Sequence, residues 1–352
     1  MAHGLIDEVP DAKRFIDSGC RSWQKFKRYT SEDFLKVQGA VLATSGVDLQ
    51  NESFAPDGLY DMAEQIRRNS LWLMHEHNPL VAPLGRVLAA KCFYDPKSQL
   101  HFVAGLLGYY DTSRYANFSA IGCDVETLPA EPITATADDN NRVSFTISYN
   151  PHEIATKLIE HLLKDAPPQF ERKPTIVGRK AAEPLIILAI TGSLSALLST
   201  PFGKKLTERL GERTADGTAA LSSWLKDRVI AAFSKLEKEA LFEFDCIEDG
   251  CRIEFVVPSR DRLVVQTSAD TVHEAARNAK ALMRALSRFG PQKLVYRFDP
   301  KTMRWWPLYA ATRLRGVIKD DRALIAAERL RLQLEAEQPK IECLPQNGAG
   351  VT

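Results

Sequence analysis

The chain has 352 residues, of which 46 are basic, 45 acidic and 45% hydrophobic, for a formal net charge of +1. That length suggests two domains rather than one, and the composition is that of a globular protein with material for more than one core. So balanced a charge excludes recognition of nucleic acid or of an anionic membrane through a global field, and no nucleic-acid partner is expected.

Residues 1–30 read as a mixed, charged extension with a short helix around Ala12 to Ile16 and Trp23 as an anchor. The segment MAHGLIDEVPDAKRF has no apolar h-region, so secretion is not expected. From Phe34 a strand-like run, FLKVQGAVLAT, precedes a polar turn, and Pro56 to Asn69 carries Leu59, Met62, Ala63 and Ile66 at helical spacing. LWLM then reads as a strand ending in His75, Glu76 and His77. RVLAAKCFY and LHFVAGLLGYY, joined by DPKS, read as a hairpin. Two more strands are expected over Tyr115 to Val125 and Arg142 to Tyr149, which makes residues 31–163 a β-rich domain.

A linker with prolines and mixed charge is expected over 164–183, followed by a helical segment over 184–240. Within it Pro184 to Thr200 has no charge over 17 residues, at the lower limit for crossing about 30 Å of hydrocarbon. Five Ser/Thr and a Gly dilute it, so a buried or docking helix is expected, and residues 184–200 are the one candidate for membrane insertion. Residues 241–340 read as an α+β domain of ββαββ order, with its helix on one face of an antiparallel sheet. It has an Asp-Gly hairpin turn, a helix over Thr271 to Phe289, a second hairpin and a charged terminal helix over Asp320 to Gln338, with a tail at 341–352. The stripe Ala275, Ala276, Ala279, Leu282 and Leu286 marks a helix face that packs on the sheet. Of the adjacent Trp305 and Trp306 one is expected in the core and the other at its rim, although two exposed rings could stack nucleic acid bases.

Six cysteines, at 20, 92, 123, 246, 251 and 343, form no C-x-x-C unit, which fits reduced thiols and a cytoplasmic location. Cys246 and Cys251 flank the Asp-Gly turn and could face each other, but two cysteines do not make a zinc site.

On a strand, residues i and i+2 project from one face, so His75 and His77 share an environment and Glu76 points away. Such a pair can supply two metal ligands, a base with a neighbour that orients it, or two polar residues that meet solvent. A metal would need a third ligand, and His101, His152, Asp111 and Cys123 show no recognisable ligand spacing. No metal or cofactor is therefore assigned from the sequence.

The order of features around the pair is more specific. Gly39 to Val41, then Val47, Asp48 and Gln50, then the helix, then LWLMHEH, PLGRV, a hairpin and finally Phe118, Ser119, Ile121 and Gly122 resembles the phage prohead (capsid-maturation) serine proteases. The likeness is to their XkdF-like branch, over about residues 34–155. The resemblance implies an assemblin-like β-barrel domain and a serine endopeptidase acting on protein substrates or a capsid scaffold. It implies Ser119 as nucleophile and His75 as its base, and family members often dimerise. Ser119 would need the imidazole to take its proton, with His77, Asp124 or Glu126 fixing the tautomer. The backbone around Ile121 and Gly122 and the side chain of Arg86 are the candidate oxyanion donors. Ala120 stands between Ser119 and Ile121 where the family has Ser-Ile-Gly, so a strand here needs a bulge to keep the family's geometry. An inactive assemblin-like binding or assembly protein remains the alternative, with a metal-dependent hydrolase using His75 and His77 a third.

Overall fold

The computed structural model describes residues 4–23, 34–47, 53–68, 71–74, 78–125, 144–148, 157, 160, 186–193, 240–259 and 261–323. Helices α1 (Gly4–Glu8) and α2 (Pro10–Ser22) open the chain, followed by strand β1 (Lys36–Thr44) and helix α3 (Pro56–Arg68). Strands β2 (Leu71–Leu73), β3 (Gly85–Asp95) and β4 (Leu100–Tyr109) complete an antiparallel sheet of order β1-β4-β3-β2. The predicted α3 stripe is borne out, since Leu59, Ala63 and Ile66 are its buried residues.

The two faces of this sheet are covered differently. Leu59 and Ala63 pack with Cys92 and Val103, and Ile66 packs with Val87 and Leu107, so α3 lies on one face. On the other, Ala12 and Ile16 of α2 pack with Phe93, Phe102 and Ala104. Leu88 and Leu106 instead join a cluster with residues from the second half of the chain. Gly85 allows the entry of β3 to lie close to its neighbour, because a Cβ there would stand 1.9 Å from the Gly108 carbonyl oxygen.

Among the described residues the second sheet has eight strands. Beyond β5 (Ala116–Asn117), β6 (Ser144–Ser148) and β7 (Ile186–Ser193) it contains β8 (Ala240–Glu248), β9 (Cys251–Val257), β10 (Pro291–Asp299), β11 (Arg304–Thr312) and β12 (Gly316–Lys319), in the order β5-β12-β11-β10-β9-β8-β7-β6. The protein is thus α+β, and among the described residues neither sheet closes into a barrel.

Three local expectations change. Ile186–Ser193 is a strand between β6 and β8, not the expected helix. A short apolar run does not by itself distinguish a buried helix from an interior strand, and its isoleucines and threonine suit a pleated surface. The sheet is mixed rather than antiparallel, because helix α4 (Arg262–Ala285) carries the chain back so that β10 runs parallel to β9. That helix also begins nine residues before the expected Thr271, where the Asp261 carboxylate accepts hydrogen bonds from the amides of Leu263 and Val264. Its predicted stripe is buried in full. The Asp-Gly turn is as expected, with Asp249 and Gly250 both at positive φ, as a two-residue hairpin of this kind demands.

α4 covers one face of the large sheet, where Trp305 packs edge-on against Phe255 and Phe298 and its indole NH donates to the Ser268 carbonyl. Trp306 instead lies under the Arg322 guanidinium, and both indoles are half-buried, so neither takes the fully buried core position expected of one of the pair. The opposite face meets the small sheet. Val256, Val295, Leu308, Tyr309 and Val317 pack there with Phe34, Leu80, Leu88, Leu106 and Tyr110. No helix among the described residues is long and apolar enough to cross a membrane. Of the terminal helix expected over Asp320 to Gln338, residues 320–323 form a turn and the rest lie outside the described residues, as do residues 218–239 of the helical segment and the whole linker over 164–183.

Arg86 fastens the two sheets. Its side chain is 1% exposed. Nε donates to the Tyr110 hydroxyl at 2.7 Å and an Nη to the Thr312 carbonyl at 2.7 Å, while the guanidinium lies 4.1 Å from the centre of the Trp72 ring. Hydrogen bonds to charged groups contribute about 1.5–3 kcal/mol each, and an orphaned buried carbonyl adds its own cost. Arg86→Met, which keeps the length but not the donors, is expected to lower unfolding stability by about 3 kcal/mol in urea titration.

Candidate functional site

Ser119 does not sit in a strand. β5 spans only Ala116–Asn117, and the chain then turns through a 3-10 segment, Ser119–Ile121. The turn is pinned at Phe118, whose amide donates to the Lys319 carbonyl of β12 and whose ring is buried. Cys123 and Ile121 donate to the Phe118 carbonyl, and Gly122 donates to that of Ser119. Gly122 closes the turn at φ 75, in the left-handed region that favours glycine. Ser119 and Ala120 are exposed at its crest. The extra Ala120 is therefore absorbed by a turn, and the alternation of a pleated strand does not decide where the serine points.

Two proposed oxyanion donors are corrected by this geometry. The amides of Ile121 and Gly122 are engaged in closing the turn. Arg86 is buried between the sheets with its nitrogens committed to Tyr110 and Thr312. A different guanidinium is at hand, since an Nη of Arg288 donates to the Ile121 carbonyl at 2.9 Å. Arg288 follows α4 and lies 167 residues from Ile121, so no local pattern links them.

His75 and His77, together with Glu126 and His152, lie outside the described residues. Asp124 is exposed two residues beyond the turn. The other candidate metal ligands have local roles. His101 lies against the rings of Tyr60 and Tyr94, and Asp111 accepts hydrogen bonds from the Ser113 amide and hydroxyl. Cys123 is buried, and burial raises its thiol pKa. The five described cysteines are free thiols. Cys246 and Cys251 lie on one face of their hairpin, but Cys246 pairs with Ile253 and Cys251 with Glu248. Burial pushes the Cys251 thiol up to about 12, which leaves it protonated and unreactive near neutral pH.

A second polar constellation was missed from the sequence. Glu243 and Asp245 on β8, Arg252 and Glu254 on β9, and Lys293 on β10 project from the face of the large sheet opposite α4. Glu243, Asp245 and Glu254 are buried, and one carboxylate oxygen from each lies within 4.8 Å of the others. Among the described residues they are the one group of three or more such side chains close enough to share a metal ion. Arg252 lies between them, at 2.5 Å from Asp245 Oδ2, 2.9 Å from Glu254 Oε1 and 3.5 Å from Glu243 Oε1. The Lys293 ammonium is 2.8 Å from Glu254 Oε2, an ion pair without the angle of a hydrogen bond. Glu243 and Asp245 also share a hydrogen bond, for which the raised Glu243 carboxyl supplies the proton. The visible clue in the sequence was the pairing of charges at i and i+2, Glu-Phe-Asp and Arg-Ile-Glu, inside two otherwise apolar strands.

Burial raises the Glu243 carboxyl well above the ordinary range, and the charges of Asp245 and Glu254 add to it. Asp245 is raised by the same causes and held back by Arg252. Burial opposes the charge on Arg252, but Glu254, Asp245 and Glu243 more than offset it and keep the guanidinium protonated. Nearby, the buried Tyr309 hydroxyl donates to the Pro79 carbonyl at 3.0 Å and is itself raised, first by burial and then by Glu254 and Glu243.

A carboxyl whose folded pKa exceeds its unfolded one holds its proton more tightly when folded. Its contribution to stability is complete below the unfolded value, here about 4.5, and is lost as pH rises through the folded value. Urea midpoints of the wild type are therefore expected to fall as pH rises above that range. Those of Glu243→Gln, which stays neutral, should fall less; equal slopes would show that Glu243 does not hold its proton.

Compared with protein-family models, with curated proteins and with solved structures, the chain matches none.

Proposed function

We propose that this protein is a serine endopeptidase of the phage prohead-protease type, in which Ser119 attacks the peptide carbonyl and His75 takes its proton. The observation that carries the reading is the placement of Ser119, exposed at the head of a tight turn whose next amides are tied down. A nucleophile needs a fixed backbone and an accessible hydroxyl, and this turn supplies both. The amides that lead a 3-10 turn have no partner within it, so those of Ser119 and Ala120 replace Ile121 and Gly122 as the oxyanion donors in this proposal. Arg288 adds a positive charge beside the turn. His77 or Asp124 would orient the base, and the protein or scaffold substrate follows from the family likeness over residues 34–155. Homodimer formation belongs to the same reading.

A second reading is an assembly or binding protein without catalysis. It is favoured by the commitment of Arg86 and of the Ile121 and Gly122 amides to the fold.

Incubation of wild type, Ser119→Ala and His75→Ala with a fluorophosphonate probe, followed by peptide mapping, separates the two. The protease predicts labelling at Ser119 that falls at least a hundredfold in His75→Ala, given that general-base catalysis contributes about 10²–10⁴-fold. An unlabelled Ser119, under conditions where a control serine protease reacts, assigns the protein to the non-catalytic class.

A further inference from the structure

We propose that Arg288, Arg313 and Arg315 form a docking site for an acidic peptide segment of a partner protein. Two turns build it. The 3-10 segment Ser287–Phe289 leads from α4 to β10, and residues 312–316 join β11 to β12. The amides of Arg313 and Leu314 donate to the carbonyls of Gly290 and Phe289 at 2.9 and 3.1 Å, so the turns are fastened to each other by their backbones. The Thr312 hydroxyl closes the second turn, donating to the Gly316 carbonyl and accepting from the Arg315 amide.

Three exposed arginines project from this frame. The guanidinium groups of Arg288 and Arg315 stand 4.7 and 5.6 Å from the centre of one half-buried ring, that of Phe289. Arg313 runs past Gly290, where a Cβ would stand 3.6 Å from its Nε. Among the described residues none of the three has a carboxylate partner, and Arg288 spends an Nη on the Ile121 carbonyl. The cations are thus held together by an aromatic ring and by rigid turns, with their mutual repulsion unmet. An anion that binds among them relieves it.

The chemistry of the donors selects the partner. A guanidinium presents a planar fork that matches a carboxylate, and Leu314, 48% exposed between Arg313 and Arg315, offers an apolar contact to a peptide side chain. Nucleic acid fits less well. The Phe289 ring is half-buried and already faced by two cations, which takes away the platform for a stacked base, and a net charge of +1 provides no extended field for a phosphate backbone. The site adjoins the serine turn through Arg288, yet docking does not depend on a reaction at Ser119. Exposed guanidinium groups make a weak and salt-sensitive contact, so the affinity should be modest.

Full-length wild type and full-length Ser119→Ala are titrated by fluorescence anisotropy into a labelled peptide of glutamates around one leucine, and into the same peptide with Gln for every Glu. At low salt the glutamate peptide is expected to bind about tenfold tighter to both proteins, and the preference should vanish near 1 M salt, where charges are screened beyond about 3 Å. The double variant Arg313→Gln/Arg315→Gln, which alters only exposed side chains, should melt like wild type and lose most of the preference. Arg315→Gln alone should weaken glutamate-peptide binding several-fold, and it decides the matter if the double variant does not fold. Equal binding of the two peptides overturns the site, as does a preference left intact in a folded variant. Tighter binding of an oligothymidylate than of the glutamate peptide overturns it in favour of nucleic acid. Fluorophosphonate labelling of Ser119 is read separately, so the docking site and the protease can each fail alone.

Discussion

The architecture depends on one buried guanidinium. Arg86 enters from the start of β3 and reaches across to the carbonyl of Thr312 at the end of β11. Trp72 of the neighbouring β2 lies against it and Tyr110 accepts from it. An arginine so deeply placed is tolerable only where its donors are satisfied and its flat faces are packed, and those demands fix the distance and orientation of the sheets it joins. The apolar contacts around it, Leu88 and Leu106 against Val295 and Leu308, supply the larger share of the burial but little direction. Arg86 supplies the direction.

The serine turn and the buried acids both lie on the large sheet that this interaction docks. Ser119 follows β5, which is the edge strand beside β12, so the serine turn depends on Lys319 and Arg288 as much as on its own neighbours. The carboxylate cluster lies on the face opposite α4, the same face that carries Val256, Val295 and Tyr309 into contact with the small sheet. The two differ in chemistry. The proposed protease rests on an exposed hydroxyl on a rigid turn. The acids buried beside Arg252 and Lys293 form an internal network of ion pairs in which Glu243 holds its proton.

Much of the local structure was legible because local rules act over a few residues. The hairpin of β3 and β4, the stripe Leu59, Ala63 and Ile66 and the stripe from Ala275 to Leu286 follow from periodicity, and the turn at Asp249 and Gly250 follows from backbone sterics. Where local rules are degenerate, pattern failed. Ile186–Ser193 has the composition of either a buried helix or an interior strand, and pairing with β6 and β8 makes it the latter. Tyr115 to Val125 has the composition of a strand, yet β12 offers only a two-residue bridge before Gly122 turns the chain.

By itself, then, the sequence determined helix α3, the buried stripe of α4 and the hairpins of contiguous segments, because propensity, alternation and positive-φ glycine are properties of neighbouring residues. Only the tertiary structure decided that Arg86 would be a fastener between sheets and not an oxyanion donor. It alone brought Arg288 to the serine turn, and it alone gathered Glu243, Asp245, Glu254, Arg252 and Lys293 from three strands onto one face. The reason is physical: a charged side chain reads as solvent-facing in sequence, and its burial is set by which strand pairs with which, a long-range choice that no window of residues contains.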